Sequence, residues 1–241
     1  MMLCLSCTFK PDDPKEKKPL RKESTANVQE GGKPTKESFM EPKEELTVEA
    51  SSSNDKLDGT TIFEKYSPAV FMVYASNDIY TSQGSGFFID GNGLAVSNYH
   101  VFKGTFKGEE AIMLSGSDKA YHVTKVIHND EDDDFIIFRV NISNNKFIPL
   151  ARSKPKTGEK VYAIGSPRQL KNTLSSGEVS GWRGENYMQI SVPIDHGSSG
   201  GALINEYGQA VGITTAGIEK SGANLNFAIS IDVIKPYVDI K

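Results

Sequence analysis

The chain has 241 residues, a formal net charge of −4 and an isoelectric point near 5.7, a balance that offers no electrostatic footprint for nucleic acid. No apolar run approaches the length that spans a bilayer. Both cysteines, Cys4 and Cys7, lie at the extreme N-terminus, so a domain folded beyond them must rely on its core rather than on a disulfide; hydrophobic residues amount to 37%, low enough to imply that part of the chain is not folded.

The first seven residues, MMLCLSC, form an apolar stub that reads in two ways. One is a start with no targeting meaning. The other is the tail of a lipoprotein signal, with Leu5-Ser6 ahead of an acylated Cys7 that would tether the following stretch to a membrane. A complete signal needs a basic head and roughly 7–15 apolar residues, so the second reading requires a start further upstream. Residues 8–57 read as a disordered polar linker. Pro11, Pro14, Pro19, Pro34 and Pro42 stand among many Lys and Glu, and such a composition cannot bury enough surface to offset its ordering entropy. The basic group Lys15, Lys17, Lys18, Arg21 and Lys22 has acidic neighbours and is expected to be solvated.

From residue 58 to 241 the texture is that of one folded domain. Thr61-Ile62-Phe63-Glu64 fits a capping box, with Thr61 as N-cap, opening a short helix that Pro68 ends. Strands are expected at 70–74, 84–89, 93–98, 111–114, 120–127 and 134–140, with Asp90-Gly91-Asn92-Gly93 as a hairpin turn. Further strands are expected at 161–164, 174–182, 187–192, 202–205, 209–214 and 227–231, then a short closing helix at 233–238 interrupted by Pro236. About twelve short strands at regular spacing make an all-β sandwich or barrel, and spacing alone does not choose between them.

Three places carry chemistry. In Asp195-His196-Gly197-Ser198-Ser199-Gly200-Gly201, small residues surround Ser199 on a tight turn, where the N–H groups of Gly197 and Ser199 can converge as an oxyanion hole for acyl transfer. Upstream, Ser97-Asn98-Tyr99-His100-Val101 places a histidine at the exit of a strand, and Asp134 opens the apolar run Phe135-Ile136-Ile137-Phe138. A serine hydroxyl is a poor nucleophile without a base that titrates near neutrality, and imidazole is the natural one. An aspartate on the other ring nitrogen fixes the tautomer and stabilises the imidazolium. Asp134 competes for that role with Asp130, Glu131, Asp132 and Asp133, but it alone directly opens the strand; His122, His128 and His196 lack comparable context, although His196 sits near the nucleophile.

These segments, in this order, resemble the protease domain of the HtrA/Deg group of chymotrypsin-fold serine peptidases. Gln83-Gly84-Ser85-Gly86-Phe87-Phe88-Ile89, Gly158-Glu159-Lys160-Val161-Tyr162-Ala163-Ile164-Gly165-Ser166-Pro167, Ser175-Ser176-Gly177-Glu178-Val179-Ser180-Gly181 and Asn226-Phe227-Ala228-Ile229-Ser230 extend the likeness over about residues 60–241. The resemblance implies two six-stranded antiparallel β-barrels with short flanking helices. His100 and Asp134 would come from the first and Ser199 from the second, with the site in the cleft between and no metal or organic cofactor.

The position six before Ser199, acidic in relatives that select Lys or Arg, is Pro193, and Thr214 stands where glutamate-selective relatives carry histidine. Ile194 and Ala228 are then expected to line an apolar pocket that takes small or medium aliphatic residues. Thr214, Thr215, Ala216 and Gly217 would form the edge on which substrate adds as a strand. Three departures limit the likeness: Ser198 replaces the usual Asn or Asp before the nucleophile, Ala202 replaces a frequent Pro, and the sequence has no room for the PDZ domain that usually follows. The expected role is a serine endopeptidase for unfolded or exposed polypeptides in the bacterial cell envelope, with a cytosolic address and a homo-oligomer such as a trimer left open. The rival reading is a catalytically silent peptide-binding module on the same fold. In this family a resting oxyanion hole can be collapsed, and Gly197 is where that would occur.

Overall fold

The computed structural model describes residues 46–50, 55–77, 81–105, 108–166, 172–218 and 225–241. The stub with Cys7 and most of the linker therefore lie outside the described residues.

Twelve strands form two closed, six-stranded antiparallel barrels. The first contains β2 (Val70–Ser76), β3 (Thr81–Phe88), β4 (Leu94–Ser97), β5 (Ala111–Leu114), β6 (Ala120–Asp130) and β7 (Phe135–Val140), hydrogen-bonded in the order β2-β3-β4-β7-β6-β5. The second contains β8 (Lys160–Gly165), β9 (Thr173–Arg183), β10 (Tyr187–Ile190), β11 (Ala202–Asn205), β12 (Ala210–Ile218) and β13 (Leu225–Ser230), in the order β10-β13-β12-β11-β8-β9. The expectation of two six-stranded chymotrypsin-like barrels holds, and strand ends shift by a few residues. Among the described residues no helix is long and apolar enough to cross a membrane.

Side chains alternate across a strand, and here both faces find a core. On β7, Ile136, Phe138 and Val140 point into the first barrel with Phe71, Val73, Phe88 and Phe102, while Phe135 and Ile137 join a second cluster that includes Ile164, Ile204, Ile213 and Ile229 of the other barrel. A third cluster, with Val161, Met188, Ile190, Leu203, Val211 and Ala228, fills the second barrel. Burial on both faces explains why these strands read as continuous apolar runs rather than as alternating patterns. Phe71 and Phe88 pack with ring centroids 4.7 Å apart, and Phe71 meets Phe138 edge-on at 6.3 Å. Such pairings add directional contact to the area buried.

Three local expectations are corrected. The first helix, α1 (Gly59–Tyr66), is capped by Asp58 rather than Thr61: the Asp58 carboxylate accepts the Thr61 N–H at 2.8 Å, so Thr61 lies inside the first turn. A carboxylate at the N-cap satisfies an orphan N–H and favours the helix start one turn earlier than a Thr61 box would. That bond holds the Asp58 carboxyl below its ordinary value. Second, His100 sits on a single helical turn, α2 (Tyr99–Phe102), rather than at a plain strand exit. Third, the folded unit starts before residue 58. β1 (Thr47–Val48) pairs in parallel with β14 (Asp239–Ile240), with Leu46 and Val48 buried beneath it. Two apolar residues in a charged stretch are too short a signal to read, and their partner lies at the other end of the chain. The closing helix is a 3-10 turn, Ile231–Tyr237, with Pro236 inside it.

Candidate active site

Asp134 holds His100 by two bonds. Its Oδ2 lies 2.8 Å from the ring Nδ1, and its Oδ1 accepts the backbone N–H of His100 at 2.8 Å. A ring held at Nδ1 by a carboxylate presents Nε2 outward, the orientation that general-base work requires. The His100 side chain is 45% exposed and that of Asp134 21%, so the imidazole is reachable while its partner is shielded.

The turn that carries Asp134 is fastened from several sides. Asp134 has φ +49°, in the left-handed region that few residues other than Gly, Asn and Asp visit. Its carbonyl accepts from Asn98 Nδ2 at 3.0 Å and from the Tyr99 N–H at 3.2 Å, both just ahead of His100. From the second barrel, Asn186 Nδ2 donates to both carboxylate oxygens of Asp133 at 3.0 Å, and the Tyr187 hydroxyl donates to the Asp132 carbonyl at 3.1 Å. Burial, and then the negative charges of Asp134, Asp133, Asp130 and Asp132, push the Tyr187 phenol above its ordinary value. Asn98, Asn186 and Tyr187 were not singled out from sequence; only Asn98, inside the histidine motif, offered a local signal.

Ser199 is 8% exposed and lies on a turn in which its own carbonyl and those of the two residues before it are engaged. The Gly197 carbonyl accepts from Ser85 Oγ at 2.7 Å, and the Ser199 carbonyl accepts from the Ser85 N–H at 2.7 Å. The Ser198 carbonyl accepts from Thr214 Oγ1 at 2.7 Å and from the Gly201 N–H at 3.0 Å. No hydrogen bond within the described residues occupies the N–H of Gly197 or of Ser199. Gly197 has φ +89° and Gly200 has φ +89°; a Cβ on Gly200 would lie 2.1 Å from the Ser85 carbonyl oxygen, so the turn can be built only with glycine there.

Gly84 is where the elements bearing His100 and Ser199 meet. A Cβ on it would stand 2.6 Å from Val101 Cγ2, next in sequence to His100, and 3.0 Å from the Ser199 carbonyl oxygen. The helical turn that bears His100 and the turn that bears Ser199 thus both pack against one glycine.

The expected substrate-facing residues are distributed unevenly. Ala228 is fully buried, facing Thr214 and Met188 across the sheet, and Ile194 is partly buried against the core of the second barrel. Met188, not foreseen, reaches over Gly212: a Cβ there would be 2.6 Å from its methyl carbon. Thr214 is 1% exposed, with its hydroxyl committed to the Ser198 carbonyl rather than turned outward. Thr215 is partly buried, and for Ala216 and Gly217 only the β12 backbone is described. Among the competing acids, Asp133 is tied to Asn186 and Glu131 contacts Lys103, which leaves Asp134 as the carboxylate on His100.

Known proteins share this fold and parts of this sequence. Residues 84–213, more than half of the chain, match the family described as "Trypsin-like peptidase domain". Over 214 residues the chain is 31% identical to "Protease Do-like 1, chloroplastic" of Arabidopsis thaliana, covering 77% of this chain and 47% of that protein. Over 181 residues it is 32% identical to "Serine protease HTRA2, mitochondrial" of Drosophila ananassae, covering 70% of this chain and 41% of that one. The chain thus spans less than half the length of these relatives. The crystal structure of the serine endoprotease from Yersinia pestis superimposes with a TM-score of 0.67 at 25% identity, over 76% of this chain and 65% of that one. With its two barrels, its Asp134–His100 pair and its glycine-bounded serine turn, the chain belongs to the trypsin-like peptidase family, with HtrA and Do-like proteases among its relatives.

Proposed function

We propose that the protein is a serine endopeptidase in which His100, Asp134 and Ser199 form the catalytic triad and the N–H groups of Gly197 and Ser199 form the oxyanion hole. The observation that carries this reading is the paired grip of Asp134 on the His100 ring and backbone, beside a serine turn whose carbonyls are bound and whose two N–H groups are left to a ligand.

In this mechanism His100 Nε2 takes the proton of the Ser199 hydroxyl as Oγ adds to the scissile carbonyl carbon. Negative charge gathers on the carbonyl oxygen, where the two N–H groups stabilise it. The imidazolium, steadied by Asp134, gives its proton to the leaving amine, and the C–N bond breaks to leave an acyl ester on Ser199. Water, deprotonated by the same imidazole, then hydrolyses the ester and restores the serine.

The substrates we propose are unfolded or exposed polypeptides, bound along Thr215–Gly217 as an added strand. Ile194 and Ala228 favour Val, Ala, Ile or Leu on the acyl side of the cut. The relatives are named for chloroplast and mitochondrion. They support a compartment outside the cytosol, and we propose the bacterial cell envelope, with Cys7 as a lipid tether and a homo-oligomer as the working form.

The test is labelling of the chain with a serine-directed fluorophosphonate, mapped by mass spectrometry, with His100→Ala and Ser199→Ala as controls. An adduct on Ser199 that disappears in both variants supports the triad. Its absence, with unfolded protein present as activator, overturns the reading and leaves a peptide-binding module in its place.

A further inference from the structure

We propose that Ser85 and Thr214 are positioning residues: their two buried hydroxyls, one from each barrel, hold the Ser199 turn so that its N–H groups face the reacting carbonyl. The inference rests on the serine peptidase reading and concerns how its oxyanion hole is kept open.

A peptide plane points its C=O and its N–H in opposite directions, so a partner that fixes the carbonyl also aims the N–H of the next residue. The Ser199 N–H belongs to the peptide whose carbonyl is that of Ser198. That carbonyl is bound by Thr214 Oγ1 at 2.7 Å and by the Gly201 N–H at 3.0 Å. Thr214 therefore acts on the Ser199 N–H through the other end of the same plane. It also forms the backbone pair with this turn, accepting from the Gly200 N–H at 2.8 Å and donating to the Gly201 carbonyl at 2.9 Å. Its side chain has no second orientation to choose without breaking a buried bond.

Ser85 holds the turn on either side of that peptide, from β3. Its hydroxyl donates to the Gly197 carbonyl at 2.7 Å and accepts from the Ser166 N–H at 2.9 Å, while its own N–H donates to the Ser199 carbonyl at 2.7 Å. Its carbonyl accepts from Ser97 Oγ at 2.7 Å. Every polar atom of this fully buried serine is thus engaged, and two of its bonds grip the turn on either side of Ser198. The hydroxyl cannot swing away without leaving both the Gly197 carbonyl and the Ser166 N–H unpaired in a dry site, where an unmade bond is costly. Thr214 thus sets the peptide that carries the Ser199 N–H, while Ser85 holds the adjoining peptide, whose Ser198 N–H donates to the Asp195 carbonyl at 3.0 Å, so the Gly197 donor is held only through the turn as a whole and the hole depends on both barrels.

The inference is tested on the full chain by the kinetics of fluorophosphonate labelling at Ser199, separating the maximal rate from the half-saturating probe concentration. Thr214→Val keeps the shape and removes the hydroxyl; Thr214→Ser keeps the hydroxyl; Ser85→Ala removes only the other one. A lost oxyanion donor costs on the order of 100–1,000-fold, and a loosened donor is expected to cost on the order of 10–100-fold. That loss should fall on the maximal rate in Thr214→Val and Ser85→Ala, with the half-saturating concentration and the pH midpoint of labelling unmoved. Thr214→Ser should stay within about threefold of the unaltered chain. A hydroxyl that only packs would leave the maximal rate unchanged in variants that remain folded by circular dichroism, and labelling of both hydroxyl-free variants at the unaltered rate overturns the inference alone. If Thr214→Val does not fold, Ser85→Ala and Thr214→Ser carry the test by the same criteria. No labelling of the unaltered chain overturns the peptidase reading, and this inference with it.

Discussion

Asp134 reaches His100 twice, at the ring nitrogen Nδ1 and at the backbone N–H, each at 2.8 Å. The second bond fixes the start of the helical turn that bears the imidazole, so the carboxylate sets both where the ring stands and which tautomer it adopts. Asp134→Asn would keep the shape and offer Nδ1 an amide whose donor favours the wrong tautomer. We expect fluorophosphonate labelling of Ser199 to slow on the order of 10³–10⁴-fold, with the melting temperature little changed. Labelling at the unaltered rate would remove Asp134 from the mechanism.

Asn186 and Tyr187 reach from the second barrel to the turn that presents Asp134, so barrel closure and the geometry of the Asp134–His100 pair are linked. Asn186→Ala would release Asp133 and let the left-handed backbone at Asp134 relax. Faster amide hydrogen exchange at residues 130–134 and a labelling rate several-fold lower are the expected readouts. Faster exchange confined to other segments would refute the linkage.

The phenol of Tyr187 gives the same contact a pH signature. Its ionisation is raised above the ordinary value of 10.0, first by burial and then by the charges of Asp134 and its neighbours. A raised folded-state value means that the stabilisation is intact below the ordinary value and is lost as pH rises through the raised one. Tyr187→Phe should therefore flatten the fall in denaturation midpoint as pH rises above about 10, the ordinary tyrosine value. An unchanged alkaline slope would assign that fall to other groups.

How much of this was legible in the sequence depends on the distance over which each feature is made. The Ser199 turn and the histidine motif are local, and each carries its own small or polar neighbours, so both could be read directly. Strand positions were legible because the runs at 70–73 and 135–138 are buried on both faces, which leaves an unbroken apolar signal. The Ser85–Gly197 bond joins residues 112 positions apart, and nothing near Ser85 announces a partner. The same holds for Asn186 with Asp133, 53 positions apart. Asp58 is hidden as a cap in the sequence because Thr61 and Glu64 form a competing cap pattern three residues later. The sequence pattern puts Thr214 beside the substrate edge, whereas its hydroxyl turns inward to the Ser198 carbonyl, a partner 16 positions away that no local pattern announces.

Gly84 lies against both Val101, next to His100, and the Ser199 carbonyl, and a single methyl group there should be felt by both. Gly84→Ala would put a carbon 2.6 Å from Val101 and 3.0 Å from the Ser199 carbonyl oxygen. Overpacking of this kind costs about 1–3 kcal/mol, and a displacement near 1 Å at a reacting centre costs on the order of 100-fold in rate. Gly181→Ala on β9 is the control, because a Cβ there meets nothing within 4 Å. It should change stability by no more than about 0.5 kcal/mol. Comparable losses in the two variants would show that added bulk anywhere in the barrels, rather than at this junction, lowers activity.

The parallel pair of β1 and β14 ties the two ends of the folded unit together. The Asp239 N–H donates to the Leu46 carbonyl at 2.7 Å, the Lys241 N–H to Val48 at 3.0 Å, and the Ala50 N–H to Lys241 at 3.0 Å. Leu150, in the segment between the barrels, donates its N–H to Glu49 at 3.2 Å. Val48 is 1% exposed and Leu46 7%, within the cluster that the two barrels share. Burying a side chain of this size contributes about 1.5–3 kcal/mol, and fixing the few residues of backbone offsets part of it. A chain beginning at residue 51 should therefore be less stable than one beginning at residue 46 by about 2–4 kcal/mol, read from denaturant midpoints at equal slope. Val48→Ala in the full chain should reproduce part of that loss. Equal midpoints for the two truncated chains would mean that residues 46–50 rest on the surface of the unit without stabilising it.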